Sequence, residues 1–329
     1  MTKIAINGFG RIGKLVFKLL INEPTVEIVA INDLTDIPSL IHLLKYDSVH
    51  GKFEGEITAC AEGIVVNGKK VLITAQPEPL LNPWKALDID IVIESTGLFT
   101  HITDAQKHIE AGAKRVIISA PGKGDVPTFV LGVNEEDIKP EMKVISNASC
   151  TTNCLAPVAK VIDNAFGIKK GYLSTVHAYT ADQNLQDAPH KKDLRRARAA
   201  AYSIIPTTTG AAAAVAKVLP HLNGKLEAMA MRVPVPDGSL IDLSLELEKE
   251  TSAEAINEAL KNAADNDLKG IIEYTNDPIV SIDIIGNPHS AIVDASLTKC
   301  MGNFAKIIAW YDNEAGYANR VADLIKKLN

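Results

Sequence analysis

Gly8-Phe-Gly-Arg-Ile-Gly13 constrains this chain most, because of what stands on either side of it. Residues 3–7 are a short apolar run that predicts a buried strand. Ile12, Val16, Leu19 and Leu20 follow on one face of a predicted helix. Residues 26–31 predict a second strand, and Asp33 stands at its end, 20 residues after Gly13. Glycines alone say little beyond a turn. Strand, glycine loop, helix and second strand in this order match a dinucleotide fingerprint. In it a pyrophosphate rests on the helix N-terminus over Gly8, Gly10 and Gly13, and a carboxylate takes the adenine-ribose hydroxyls. The plainer alternative is a helix N-terminus with glycines kept for packing, and the whole arrangement counts against it.

The chain continues in the same style to about residue 149. Ile64-Val-Val-Asn-Gly-Lys-Lys-Val-Leu-Ile73 predicts a hairpin turning at Asn67-Gly68. Residues 89–93 are almost continuously apolar, as a strand covered on both faces requires. Glu94-Ser-Thr-Gly97 follows at its carboxyl end, where ligands of parallel sheets sit. Residues 115–118 repeat the pattern and stop at Ser119. His101 and His108 fall on or near a polar helix between these strands and read as solvated surface residues. The fold class is α/β: a Rossmann-type, doubly wound parallel sheet over residues 1–149, then a second domain.

Asn147-Ala-Ser-Cys-Thr-Thr-Asn-Cys154 marks the change of domain. A short strand at 142–145 precedes Cys150, and a helical run at 155–166 follows. A thiol at a helix N-terminus meets unpaired N–H groups and the positive end of the macrodipole, which favour thiolate. Ser149, Thr151, Thr152 and Asn153 can cap the helix or hold an anion. Cys150 is therefore read as a nucleophile rather than a small buried hydrophobe. Cys154, one turn on, reads as structural. Cys60 and Cys300 are isolated, the four cysteines complete no metal-ligand cluster, and a reduced cytosolic setting fits them.

Residues 172–179 alternate as a strand with His177 near its end. His177 is a surface or core histidine, or a general base for Cys150; sequence alone leaves this open. Residues 182–201 are polar and cationic, and Pro206-Thr-Thr-Thr-Gly210 offers hydroxyl and N–H groups to an oxyanion. Residues 229–231 predict a strand ending at Arg232. Residues 241–248 alternate strictly, predicting a half-exposed antiparallel strand. Thr251 and Glu254 read as a capping box for a helix through Ala263. Residues 304–311 predict a last strand, and Tyr317, Val321, Leu324 and Leu328 an amphipathic helix. This domain, 150–312, is expected to be α+β with a mainly antiparallel sheet, the helix 313–329 returning to the first.

A net charge of −6 supplies no general field for nucleic acid, and no apolar run approaches the ~20 residues that span a bilayer. The N-terminus enters a strand at once, leaving no room for a signal peptide, so a cytoplasmic location is expected.

Together these motifs resemble those of the phosphorylating glyceraldehyde-3-phosphate dehydrogenases, over essentially the whole chain. The similarity runs from Ile4-Ala-Ile-Asn-Gly-Phe-Gly-Arg-Ile-Gly13 to Trp310-Tyr-Asp-Asn-Glu-Ala-Gly-Tyr317. Ala148-Ser-Cys-Thr-Thr-Asn-Cys-Leu155 is its most specific part, joined by Leu194-Arg-Arg-Ala-Arg-Ala-Ala-Ala201 and Ser203-Ile-Ile-Pro-Thr-Thr-Thr-Gly-Ala-Ala212. The resemblance implies oxidation of glyceraldehyde 3-phosphate with NAD and inorganic phosphate, through a hemithioacetal and a thioester on Cys150 with His177 as base. It implies Thr180 and Arg232 for the substrate phosphate, and Ser149, Thr151, Arg196, Thr209 and Gly210 for the attacking phosphate. It implies Arg11, Ile12, Asp33, Ser119 and Asn313 for NAD, no metal, and a homotetramer in which residues 179–201 line a neighbour's cofactor site. Pro77 departs from an arginine common near the adenine, and Ala188 from a bulkier leucine.

Rival readings are an erythrose-4-phosphate dehydrogenase, a cysteine hydrolase using Cys150 and His177, and a nucleic-acid-binding protein using Arg195, Arg196 and Arg198. The glycine fingerprint counts against the hydrolase, and the net charge against nucleic acid.

Overall fold

The structure, a computed structural model, describes every residue from Met1 to Asn329. It forms two compact units, Met1–Phe129 with Glu136–Ala148 and Ala318–Asn329, and Val130–Glu135 with Ser149–Tyr317.

The first unit is built on an eight-stranded sheet. Val144–Ser146, Arg115–Ile118, Ile91–Glu94, Thr2–Asn7, Val26–Asn32 and Lys69–Thr74 run parallel in that order. Gly63–Val66 and Ile57–Cys60 add an antiparallel edge. The chain winds one way from Thr2–Asn7 to Val26–Asn32 and the other way to Ile91–Glu94. The carboxyl end of the first strand is thus the switch point where such sheets bind ligands. Ile4, Ala5, Ile6, Val92 and Val116 are fully buried, which explains their unbroken apolar runs. The hairpin turns at Asn67 and Gly68 with φ of 51° and 79°, the left-handed pair of a type I′ turn. Residues of the C-terminal helix Ala315–Lys327 close on this unit, Lys327 pairing with Glu136 at 2.7 Å.

The second unit carries another eight-stranded, mainly antiparallel sheet. Its central strand, Ile168–Ala178, runs parallel to Leu226–Val233 and antiparallel to Ser239–Leu247, which pairs in turn with Phe304–Tyr311. Ser239–Leu247 alternates buried and half-buried residues along its length, as its sequence predicts. The helix Cys150–Phe166 packs on Ser239–Leu247 and Phe304–Tyr311 and on the helices Ala211–Val218 and Ala253–Asp265. No helix is long and apolar enough to cross a membrane.

Three local expectations are corrected. The helix after Cys150 begins at Cys150 itself, because Ser149 caps it by accepting from the Thr152 N–H at 3.1 Å. The later helix is capped by Ser252, which accepts from Ala255 N–H at 3.2 Å, so the cap stands one residue after Thr251. His108 is not a surface residue: it lies at 0 % exposure beneath the parallel sheet's carboxyl edge.

Candidate active site

Cys150 is placed by a sharp passage from strand to helix. Val144–Ser146 ends, Ala148 adopts φ 55°, and Ser149 caps the helix that Cys150 opens. Cys150 Sγ lies 3.5 Å from His177 Nε2. His177 is in turn held on its strand by three neighbours. Nδ1 lies 2.7 Å from Ala178 O and 2.8 Å from Arg232 Nη1, which also reaches Ala178 O at 3.1 Å. The ring packs edge-on against Tyr311, centroids 5.8 Å apart.

Charge in this nest follows from burial. Desolvation pushes the Cys150 thiol up, while Arg232 and the Thr151 hydroxyl and N–H pull it down. Burial and these neighbours thus oppose one another at the sulfur. Burial and the Arg232 charge hold the His177 imidazole down to about 3, with the Ala178 carbonyl opposing them. Burial thus favours the uncharged form of the pair, thiol beside neutral imidazole. A proton passing from sulfur to Nε2 makes two opposite charges that stabilise one another.

Arg232, whose charge acts on the sulfur, begins a chain of polar contacts. Arg232 Nη1 donates to Thr180 Oγ at 3.2 Å, and its Nε is buried with no hydrogen-bond partner within the protein. Arg196 pairs with Asp182, whose other oxygen takes the Thr180 hydroxyl, and with Asp193 at 3.4 Å. Its Nη2 also reaches Thr208 O at 3.4 Å, beside Thr209 and Gly210, and Gly210 caps the helix Ala211–Val218. The positive charge of Arg232 is felt at Arg196. Two guanidinium groups that feel one another's charge, one with an orphaned donor, suit anions. Ser149 and Thr151 spend their hydroxyls internally, on Thr152 and on Tyr311.

The glycine loop stands at the switch point of the first unit. Gly8 has φ 91°, and a Cβ on Gly13 would lie 2.2 Å from Gly8 O, so neither position accepts a side chain. A Cβ on Gly10, the cap of the helix Arg11–Leu20, would meet no protein atom within 4 Å, so this edge is open to a ligand. Asp33 faces the loop, one oxygen accepting Phe9 N–H at 2.7 Å and the other Thr35 N–H at 2.9 Å. Lone pairs remain for ribose hydroxyls. Ser119 ends the neighbouring strand and donates to Glu94 O at 3.1 Å. Arg11 turns its side chain to Asp47 at 2.7 Å, so backbone N–H groups, at Arg11 and Ile12, are what the helix start presents. These residues fit a dinucleotide.

Sequence reading missed three residues. Tyr311 OH sits between Thr151 Oγ and Thr175 Oγ, 2.9 Å from each, beneath His177. Ser239 Oγ donates to Asn313 Oδ1 at 2.6 Å and accepts Ala178 N–H at 3.1 Å, leaving the Asn313 NH2 as the donor. Asp182 joins Thr180 to Arg196. Packing between distant strands brings Tyr311 and Ser239 to their partners, the fold of the loop after Ala178 brings Asp182 to Arg196, and no local pattern announces either.

A parallel-sheet unit with this loop, and a thiol paired to an imidazole in the other unit, define a dinucleotide-dependent oxidoreductase working through a cysteine. Residues 2–102 match the glyceraldehyde 3-phosphate dehydrogenase NAD binding domain, and residues 149–313 the C-terminal domain of the same enzymes. The chain is 56% identical over 324 residues to glyceraldehyde-3-phosphate dehydrogenase of Geobacillus stearothermophilus, covering 98% of this chain and 96% of that one. Glyceraldehyde-3-phosphate dehydrogenase 1 of Bacillus subtilis strain 168 gives the same figures. That of Borreliella burgdorferi is 55% identical over 334 residues, 99% of each chain. The chain belongs to the glyceraldehyde-3-phosphate dehydrogenase family, NAD-dependent oxidoreductases acting on an aldehyde.

Proposed function

We propose that this enzyme oxidises D-glyceraldehyde 3-phosphate to 1,3-bisphosphoglycerate with NAD and inorganic phosphate, as a step of glycolysis and gluconeogenesis. The observation that carries the reading is the 3.5 Å approach of Cys150 Sγ to His177 Nε2 at a helix start, with Arg232 against the other ring nitrogen and Thr180, Asp182 and Arg196 linked to Arg232 in turn. Cys150 attacks the aldehyde carbon as Nε2 takes the thiol proton and passes it to the aldehyde oxygen, giving a hemithioacetal and returning Nε2 to its neutral form. The base role requires the tautomer with its proton on Nδ1, donated to Ala178 O rather than Nδ1 accepting from Arg232 Nη1, so that Nε2 offers the lone pair. His177 next removes the hydroxyl proton of the hemithioacetal, and the carbon becomes a thioester. NAD, when bound, supplies the hydride acceptor for this step. A phosphate oxygen then attacks the thioester carbon and the sulfur leaves, releasing the acyl phosphate.

Arg232 and Thr180 take the substrate's phosphate in this reading, the orphaned Arg232 Nε supplying a further donor. Arg196, Thr209, Gly210, Ser149 and Thr151 take inorganic phosphate; with their hydroxyls engaged, Ser149 and Thr151 act through the helix start. Gly8, Gly10, Arg11, Ile12, Gly13, Asp33 and Ser119 hold NAD, and Asn313 orients the nicotinamide amide through its NH2.

A cytoplasmic homotetramer fits the exposed apolar residues Leu185, Leu194, Tyr202 and Ile204, which are 68–91 % accessible in a single chain. Light scattering should return four chains of 35.3 kDa. The cationic run is spent locally, Arg198 on Asp187 and Arg196 on Asp182, which disfavours nucleic acid as main partner. The deciding assay is NADH formation from glyceraldehyde 3-phosphate with and without phosphate. Turnover that ignores phosphate would remove the acyl-phosphate step from the reading.

A further inference from the structure

The parallel sheet's carboxyl edge rests on a buried polar chain that the chemistry above does not use. Trp84 Nε1, which can only donate, lies 3.0 Å from His108 Nδ1. Nδ1 must therefore offer its lone pair, and the ring proton sits on Nε2. From there it is donated to Glu94 Oε2 at 3.1 Å. The same oxygen accepts from Asn7 Nδ2 at 2.5 Å, and Glu94 Oε1 accepts Thr96 N–H at 2.9 Å and the Thr96 hydroxyl. Asn7 Oδ1 takes Asn32 Nδ2 at 2.7 Å, and Asn32 Oδ1 takes Gln76 N–H and the Thr74 hydroxyl. Trp84 and His108 are fully buried, and Asn7, Asn32 and Glu94 nearly so.

This chain ties together the ends of Thr2–Asn7, Val26–Asn32, Lys69–Thr74 and Ile91–Glu94, the four adjacent strands from which the glycine loop and Asp33 emerge. The tie reaches the loop by contact. A Cβ on Gly8 would lie 2.7 Å from Thr96 N, and Ser95 Oγ, between Glu94 and Thr96, donates to Gly8 O at 2.6 Å, so the segment that Glu94 holds bounds Gly8. Thr96 is held on both its donors by Glu94. Glu94 is held from below by His108, and His108 is fixed in one tautomer by Trp84.

We propose that His108 is a positioning residue for the cofactor: through Glu94 it holds Asn7 and Thr96 so that the Gly8–Gly13 loop is preformed for the NAD pyrophosphate. The inference rests on the NAD-dependent reading of the chain. It predicts a specific division between variants. The amide of glutamine spaces an acceptor and a donor much as the two imidazole nitrogens do, so His108→Gln can accept from Trp84 and donate to Glu94. His108→Leu fills similar volume and does neither.

The test measures the dissociation constant and KM for NAD, kcat at saturating NAD, and the rate of Cys150 alkylation without NAD. His108→Leu should raise the NAD constants about tenfold, the effect of one lost hydrogen bond to a charged group. Both kcat and alkylation should stay near the parent values, and His108→Gln should recover most of the affinity. Should His108→Leu not fold, Trp84→Phe removes only the N–H that fixes the tautomer and should weaken NAD several-fold. NAD constants unchanged in His108→Leu or Trp84→Phe overturn the proposal. So does a fall in kcat, alkylation and thermal midpoint together that glutamine does not reverse, since that marks mere structural support. The parent enzyme's NADH formation is run alongside, so failure of the NAD-dependent reading shows there and failure of this inference only in the variants.

Discussion

Cys150 shows how far one residue's chemistry depends on its neighbours. Burial favours its proton and holds the His177 imidazole down to about 3, so in the proposed attack Nε2 is free to take that proton. His177→Asn should therefore slow iodoacetamide alkylation of Cys150 at pH 7 by about tenfold or more, general-base assistance being worth 10²–10⁴ in turnover. The two proteins should converge near pH 10, where hydroxide does the work; equal rates at pH 7 would remove His177 from the base role. Cys154, Cys60 and Cys300 have no such partner, and peptide mapping should find label at Cys150 first. The two arginines divide by what they touch. Arg232→Ala should chiefly weaken productive use of the phosphorylated aldehyde, and Arg196→Ala should chiefly raise the KM for phosphate. Each loses a charge-assisted hydrogen bond worth about 1.5–3 kcal/mol, or one to two decades. A phosphate KM unmoved in Arg196→Ala would return that side chain to its internal pairing with Asp182 and Asp193.

Among the elements, the passage from Thr2–Asn7 through the loop to Arg11–Leu20 is where backbone does the recognising. Gly13→Ala would press a methyl to 2.2 Å from Gly8 O, a contact that must displace backbone. Relieving such overlap costs about 1–3 kcal/mol. Charged to the loop, that weakens NAD by roughly one to two decades, while alkylation of Cys150 without NAD stays at the parent rate. NAD titration of the variant reads this directly, and parent-like affinity would mean the loop yields freely. The end of Val26–Asn32 sets cofactor choice. Asp33 faces the loop with no cation beside it among Asn32, Leu34, Thr35 and Asp36, so a 2′-phosphate there meets like charge. The kcat/KM for NAD should exceed that for NADP by at least about tenfold, or ~1.4 kcal/mol. Equal efficiency in steady-state assays with both cofactors would show that Asp33 does not face the ribose.

For the molecule as a whole, stability carries a pH signature written by one buried acid. Asp237 is pushed up to about 9 by burial and by Asp312 beside it. Unfolded, it ionises near its ordinary 3.8, so between these values the folded chain holds a proton that the unfolded chain has released. Its contribution to stability is complete below pH 4 and drains away as pH rises toward 9. Asp237→Asn, neutral throughout, should lack that loss. Its thermal midpoint should therefore gain on the parent's between pH 5 and pH 8. Parallel curves would mean that the acid is ionised in the fold.

What the sequence determined by itself is what local physics writes locally. Strand, glycine loop, helix and acidic residue follow one another within about 30 residues of chain, so the NAD-binding fold was legible from steric need and apolar period alone. The alternation of Ser239–Leu247, the Asn67-Gly68 turn and the polar run around Cys150 were legible for the same reason. Tertiary structure decided what depends on contact across the chain. His108 lies on a helix of polar sequence, and only the packing of Trp84, Glu94 and Asn7 around it turned a surface histidine into a buried link. The approach of His177 to Cys150, Tyr311 beneath them and Ser239 behind Asn313 arise from strand register, which fixes neighbours far apart in sequence. A helix terminus is visible in sequence, but the desolvation that opposes it at Cys150 belongs to the packed site.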